Sequence, residues 1–422
     1  MAGVDPGRVL NDLQELARRT GGAGGAKRLA WTDGWRHARR LLRERLGEIG
    51  LACDEDEAGN LWATLPGVSS ERLVLGSHLD SVPAGGPLDG ALGVFAALEV
   101  LRALAEADEF PATTVALVDW ADEEGARFGH SLFGSSAVTR ALDPDAVREL
   151  VDADGNGLAP VLADHGVDLD RIGTELESGL AEAFAYLELH IEQGPVLEAE
   201  GVPVAAVSGT VGVERFTLRF EGAAAHAGST PMEMRADALL AAAATALEVE
   251  AIARRHGGRG TTGTLEVRPG ALTVVPASAE LGVDLRHEAA EELESMRTEV
   301  LAAAAGFAAG RGCRVEETAI WSAVPTAFDP DLVERVRVAA AAAGGREAPL
   351  PSGALHDATM VARVLPTAMV FCPSRGGISH SPEEHTDEAD IRAAVAVFGE
   401  VALELASGGV GCALPSRRRR TK

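Results

Sequence analysis

The chain of 422 residues predicts an α/β/α sandwich interrupted by a smaller α+β domain. Three observations carry that expectation. Buried-strand patterns alternate with amphipathic helices up to about residue 210, strands of period two replace them over 211–326, and the buried pattern returns from 327. The length suits about two or three cores rather than one.

Residues 33–50 align Trp35, Leu41, Leu42, Leu46 and Ile49 on one side of a helix, and a turn at 58–60 leads into a strand at Leu61–Leu65. RLVLGSHLD at 72–80 is a buried-strand pattern that ends in polar residues. DGALGVFAALEVLRALAEA at 89–107 follows as a helix with Val94, Leu98, Leu101 and Ala105 on one face. TTVALVDWADEEG at 113–125 repeats the arrangement, an apolar strand with acids at its carboxyl end. Ligands of open α/β sheets collect outside that edge, so chemistry is expected there.

A second style starts near Gly212. VERFTLRFEG at 213–222 alternates apolar and polar residues, the mark of a sheet with one wet face. The next helix has Thr230 as N-cap, Pro231 at its first position and Glu233 three residues after the cap, and is expected to run to about Arg255. LEVRPGALTVVP and ASAELGVDLRH supply two more strands, and EELESMRTEVLAAAAGFAAG a second helix. After Asp329-Pro330 come a helix at 331–343, a strand at 367–374 and a helix near 388–407. The expected boundaries are 1–210 and 327–413 for the larger domain, 211–326 for the insertion and 414–422 for a basic tail.

With 38 Lys and Arg against 64 Asp and Glu, the net charge of −26 repels phosphate backbones and anionic lipid. No nucleic-acid or membrane partner is expected. The basic run Arg417-Arg418-Arg419-Arg420 reads as a solvated, disordered end. Cys53, Cys313, Cys372 and Cys412 have no paired spacing, which points to reduced thiols in a cytoplasmic protein. The first residues lack an apolar signal core, and the Ala/Leu run from Ala238 to Leu247 falls short of the roughly 20 residues of a membrane span.

His78, Asp80, Asp89, Glu123, Glu124, His190 and His380 stand at or near the expected carboxyl ends of strands. Imidazole nitrogen and carboxylate oxygen together suit hard or borderline divalent cations. Seven such groups are too many for one ion. Two ions about 3.5–4 Å apart would share a carboxylate, acidify a water and leave a spare carboxylate as general base. Asp122, next to the acid pair, is expected to be a solvated turn residue, and Arg127 to shape the loop after Glu124.

The blocks GSHLDSVPAGGPLDGALGV (76–94), DEEGARFG (122–129), LHIEQGPVLE (189–198), AHAGSTPMEMRADAL (225–239) and GISHSPEEHT (377–386) resemble the amidase branch of the M20 metallopeptidase family. That branch holds N-carbamoyl-L-amino-acid hydrolases, allantoate amidohydrolases and β-ureidopropionases. The resemblance, which runs from about residue 28 to 407, implies two divalent metal ions (Zn, Mn, Co or Ni) per subunit. It places His78 and His190 on one ion, Glu124 and His380 on the other, and Asp89 between them. It further implies Glu123 as the base, Asp80 as the residue that orients His78, and Gln193 as a substrate contact. From the inserted domain, a lid, it brings His226 to polarise the scissile carbonyl and Arg286 to grip the substrate carboxylate. Both come from the partner subunit in relatives, which implies a homodimer.

Two positions depart from the family. Thr273 stands where carbamoylases carry an Asn that contacts substrate, and Leu355 replaces a usual Gly in SGALHDA, while Ser352, His356 and Asp357 follow the pattern. Thr273 and His356 therefore count as substrate-binding candidates, and a buried polar mismatch of about 1–3 kcal/mol at 273 is enough to alter substrate preference. A dipeptidase or N-acyl-amino-acid deacylase on the same scaffold is the competing expectation.

Overall fold

The Asp5 side chain accepts the Gly7 amide at 2.8 Å and starts the helix Pro6–Thr20, an element the apolar pattern had not marked. The computed structural model describes residues 3–22, 24–172 and 179–408. Cys412 and the basic tail lie outside them. The chain divides into a unit of residues 1–208 with 328–422 and a unit of residues 209–327.

The larger unit is mixed α/β around a central sheet. Its inner strands run in the order Leu61–Leu65, Thr113–Trp120, Ser69–His78, Ala183–Ile191, Thr367–Cys372. The last four pair in parallel, with His78 opposite Trp120 and His190 opposite Phe371. Every residue of Thr113–Trp120 and of Thr367–Cys372 is buried, as strands covered on both faces must be. Helix Ala91–Ala105 is buried from Ala91 through Ala103 and packs on these strands. Because the strands are parallel, the loops that follow them leave at one edge.

The smaller unit is a four-stranded antiparallel sheet in the order Arg314–Ala323, Gly212–Glu221, Ser278–His287, Arg259–Arg268. Ala279, Leu281, Val283 and Leu285 alternate into its core, under the helices Ala238–His256 and Ala290–Ala309.

Two expectations need correction here, and one strand was not anticipated. The first insertion helix begins at Ala238, not Pro231: the Asp237 carboxylate caps it by accepting the Leu240 amide at 3.1 Å. Residues Met232–Met234 form only a 3-10 turn, held by Arg235, whose guanidinium donates to the carbonyls of Thr230 (3.0 Å) and Ala227 (2.5 Å). The single strand expected over LEVRPGALTVVP is two, Arg259–Arg268 in the main sheet and Val274–Val275 paired with Ala225–His226. The edge strand Arg314–Ala323, mostly exposed, had no apolar pattern to announce it.

Among the described residues no helix is long and apolar enough to cross a membrane. Cys53, Cys313 and Cys372 are free.

Candidate metal centre

His78 is the last residue of its strand, and His190 is next to last in its own. His190 Nδ1 lies 2.9 Å from the Ile191 carbonyl, and His78 Nδ1 lies 3.3 Å from the carbonyl of Asp80 and 3.5 Å from its carboxylate. Acceptors on Nδ1 hold a proton there, so that in the neutral ring the lone pair is on Nε2. Both Nε2 atoms face Asp89, whose Oδ1 is 3.2 Å from His190 and 3.5 Å from His78. The other oxygen, Oδ2, is 3.3 Å from His380 Nε2, which is itself 3.4 Å from Glu124 Oε2.

Two ligand sets result, His78–Asp89–His190 and Asp89–Glu124–His380, with donor atoms within 4.8 Å of one another in each. Two observations test whether cations fit. His190 Nε2 and Glu124 Oε1 are buried and make no aligned hydrogen bond among the described residues, the state expected of atoms meant for an ion. Gly90, at φ 64°, lies where a Cβ would come within 2.5 Å of His78 Nε2, so only glycine keeps that nitrogen open.

The acids at the end of Thr113–Trp120 are set by a tight turn. Asp122 is left-handed at φ 54° and Gly125 at φ 60°. The Asp80 carboxylate accepts the Glu123 amide at 3.2 Å and the Glu124 amide at 3.1 Å. Glu123 Oε2 then stands 3.7 Å from His78 Nε2. Arg127 braces the turn by donating to Asp152 and to the Trp31 carbonyl.

The charges are interdependent. Burial would raise Asp89, but His190, His380 and His78 outweigh it and hold the carboxyl well below the usual range. Burial would lower His78, yet Glu123, Asp80 and Asp89 hold it well above an ordinary imidazole. The bond to Asp89 raises His380 to about 9, and burial, with the Asp89 charge, lifts Glu124 to about 7. Four carboxylates facing three imidazoles, all but His380 largely buried, suit a multivalent cation.

Asp122 is not solvated: it is buried, accepts Trp31 Nε1–H at 2.7 Å, and is pushed up to about 8 by burial and by the charge of Asp80. His356 is 1% exposed, and its ring centroid lies 4.4 Å from that of His190. Its side chain caps helix Asp357–Val361 by accepting the Thr359 amide, and its Nε2 is 2.9 Å from Ser352 Oγ, which donates onward to the Ala354 carbonyl. Both ring nitrogens thus have partners within the chain. For the same reason His356 forms no further metal site with His190 and Glu188. The Glu188 carboxylate is spent on Ser77, Tyr186 and the Ala358 amide.

Gln193, at φ 57°, donates its amide to Asp89 Oδ2 at 2.9 Å. Glu192 caps the helix after it, accepting the amides of Val196 and Leu197 at 2.8 Å each. Residues that the sequence reading passed over also serve the site. Buried Arg28 donates to the Leu79 carbonyl at 2.8 Å, and Glu384 accepts the amides of Leu88 and Asp89. Glu384 lies inside a block already singled out, four residues after His380.

The remaining candidates belong to the smaller unit. His226 is exposed, and its Nδ1 accepts the amides of Gly228 (3.1 Å) and Ser229 (3.2 Å), which leaves the proton on Nε2. Thr273 is brought beside it, its carbonyl accepting the Ala227 amide at 2.9 Å. Arg286 is held by Asp284, which also takes Arg215.

A central sheet with His and carboxylate ligand sets at its carboxyl edge and a separate α+β unit defines a metallohydrolase-type architecture. Residues 74–404 match Peptidase family M20/M25/M40, and the chain belongs to that family. It is 36% identical over 402 residues to an N-carbamoyl-L-amino acid amidohydrolase of Geobacillus stearothermophilus, covering 94% of this chain and 97% of that one. It is 32% identical to an allantoate amidohydrolase of Bacillus subtilis, with 91% and 93% covered. A solved amidase of the hydantoinase/carbamoylase family from Burkholderia multivorans superposes with TM-score 0.89 at 34% identity, covering 97% of this chain and all of that one.

Proposed function

We propose that this protein hydrolyses a C–N bond of an N-carbamoyl-L-amino acid or a related ureido acid such as allantoate or β-ureidopropionate, using two divalent ions drawn from Zn, Mn, Co or Ni. The observation that carries the reading is the division of Asp89, one oxygen toward His78 and His190 and the other toward His380 beside Glu124. His78 and His190 would hold one ion, Glu124 and His380 the other, with Asp89 shared. When bound, such ions polarise a carbonyl and acidify water.

Glu123 takes the proton of the attacking water and delivers it to the leaving nitrogen as the C–N bond breaks. Asp80 orients three participants at once, His78 through its imidazole and Glu123 and Glu124 through their amides. Gln193 borders the substrate beside Asp89. His226, with its proton on Nε2, donates to the scissile carbonyl; Arg286, oriented by Asp284, receives the substrate carboxylate; and Thr273, next to His226, contacts substrate. These three act as a lid, supplied by the partner subunit of a homodimer. His356, whose ring packs beside that of His190, is a further candidate substrate contact. The free thiols support a cytoplasmic setting.

Thr273 and Leu355 motivate a second reading, a dipeptidase or N-acyl-amino-acid deacylase. The deciding measurement is ammonia release from carbamoyl and ureido acids against amino-acid release from dipeptides and N-acyl amino acids, by chelated protein reloaded with each metal. Ammonia release that is lost with chelator and restored by metal is the expected result. Turnover confined to dipeptides or N-acyl substrates sinks the first reading.

A further inference from the structure

Glu384 is 4% exposed and has no part in the roles assigned so far. Its Oε1 accepts the backbone amides of Leu88 at 2.8 Å and Asp89 at 3.0 Å, and its Oε2 accepts Ser379 Oγ–H at 2.9 Å. One carboxylate thus spans a sequence separation of 296 residues, from the loop that carries Asp89 to the loop that carries His380. The fit is close: a Cβ on Gly86 would lie 2.0 Å from Glu384 Cδ. Ser379 Oγ extends the connection, 3.1 Å from Asp89 Oδ2 and accepting the Gln193 amide at 3.1 Å.

The two ligand sets are not anchored alike. His78 and His190 stand on the buried ends of parallel strands, in register with Trp120 and Phe371 of the neighbouring strands. His380 stands on a loop, left-handed at φ 55°, with a side chain 49% exposed. Glu384 ties that loop to the backbone of Leu88 and Asp89, and Ser379 with the Gln193 amide ties it to the Asp89 side chain.

We infer that Glu384 is a positioning residue that holds the His380 loop against Asp89, while the strands set His78 and His190 and Asp80 sets the Glu124 turn. The inference rests on the two-metal reading above. A buried carboxylate costs free energy unless it is well hydrogen-bonded, and here it accepts three bonds. Truncation leaves the Leu88 and Asp89 amides buried without an acceptor and frees the His380 loop.

The test is titration of the metal-free chain with Co²⁺ alone, read as ions bound per chain and as the visible absorption of each bound ion. Wild type should bind two. Glu384→Gln, whose carbonyl oxygen still accepts both amides and whose NH₂ reaches Ser379, should also bind two. Glu384→Asp keeps the charge but is too short to span both loops, so its second ion should bind about 10–100-fold more weakly, while the first, which shares Asp89 but keeps its strand-borne histidines, should weaken much less. Glu384→Ala should retain one ion; if it fails to fold, the Gln and Asp variants decide. Two tightly bound ions in the Asp variant, or weakening of both ions equally, overturns the inference alone. A wild-type chain that binds fewer than two ions overturns the two-metal reading and this inference with it.

Discussion

The Asp80 carboxylate accepts the backbone amide of Glu123 at 3.2 Å, although the two residues are 43 apart in sequence. Its other oxygen takes the Glu124 amide, so the acid turn cannot be set independently of the loop after His78. Asp80→Asn replaces one acceptor by a donor facing an N–H. The expected result is a fall in kcat of about 10–100-fold with metal content reduced less, measured by steady-state kinetics and metal analysis on one preparation. Wild-type kcat in that variant would refute the orienting role.

Glu123→Gln removes the base and no proposed ligand. Turnover should fall by about 10²–10⁴-fold, the usual range for general-base catalysis, while bound metal stays near the wild-type amount. Unchanged kcat would rule out Glu123 as the base.

Gly90→Ala brings a methyl group within 2.5 Å of His78 Nε2 at a left-handed backbone position. Metal affinity should drop at least tenfold, and the strain should lower Tm even without metal by an amount equivalent to about 1–2 kcal/mol. Chelator competition and metal-free melting measure the two effects separately.

His256 ends its helix with Nδ1 2.7 Å from Glu292 and Nε2 2.9 Å from Glu299, and those two bonds raise its pKa. A raised folded-state value means that the contribution is complete below the unfolded value of about 6.5 and is lost as pH climbs through the folded value. His256→Gln should therefore lower Tm more at about pH 6 than at about pH 9. Both ion pairs are solvent-screened, so the difference should be small. A deficit that grows toward alkaline pH would contradict the assignment.

Much of the larger unit was legible because its strands are buried on both faces and bounded by turns. Leu61–Leu65 and the Ala290–Ala309 helix of the insertion follow their apolar patterns closely. The first insertion helix was misplaced because capping residues act locally and compete: Asp237 won over Thr230 once Arg235 had fixed the intervening turn. Asp122 was read as solvated because nothing adjacent reveals Trp31, 91 residues away, as its partner.

The sequence by itself determined the alternation of strand and helix, the inserted α+β unit, and a stock of His and carboxylate residues near strand ends. Side-chain period and ligand chemistry are local properties, readable without coordinates. The motif blocks, by resemblance, also put Asp89 between two ligand pairs; only the tertiary structure decided that His356 caps a helix beside His190 and that Glu384 joins two loops from opposite ends of the chain. Hydrogen bonds between remote residues depend on distances of a few tenths of an ångström, and those are set by the packing of the whole sheet rather than by any stretch of sequence.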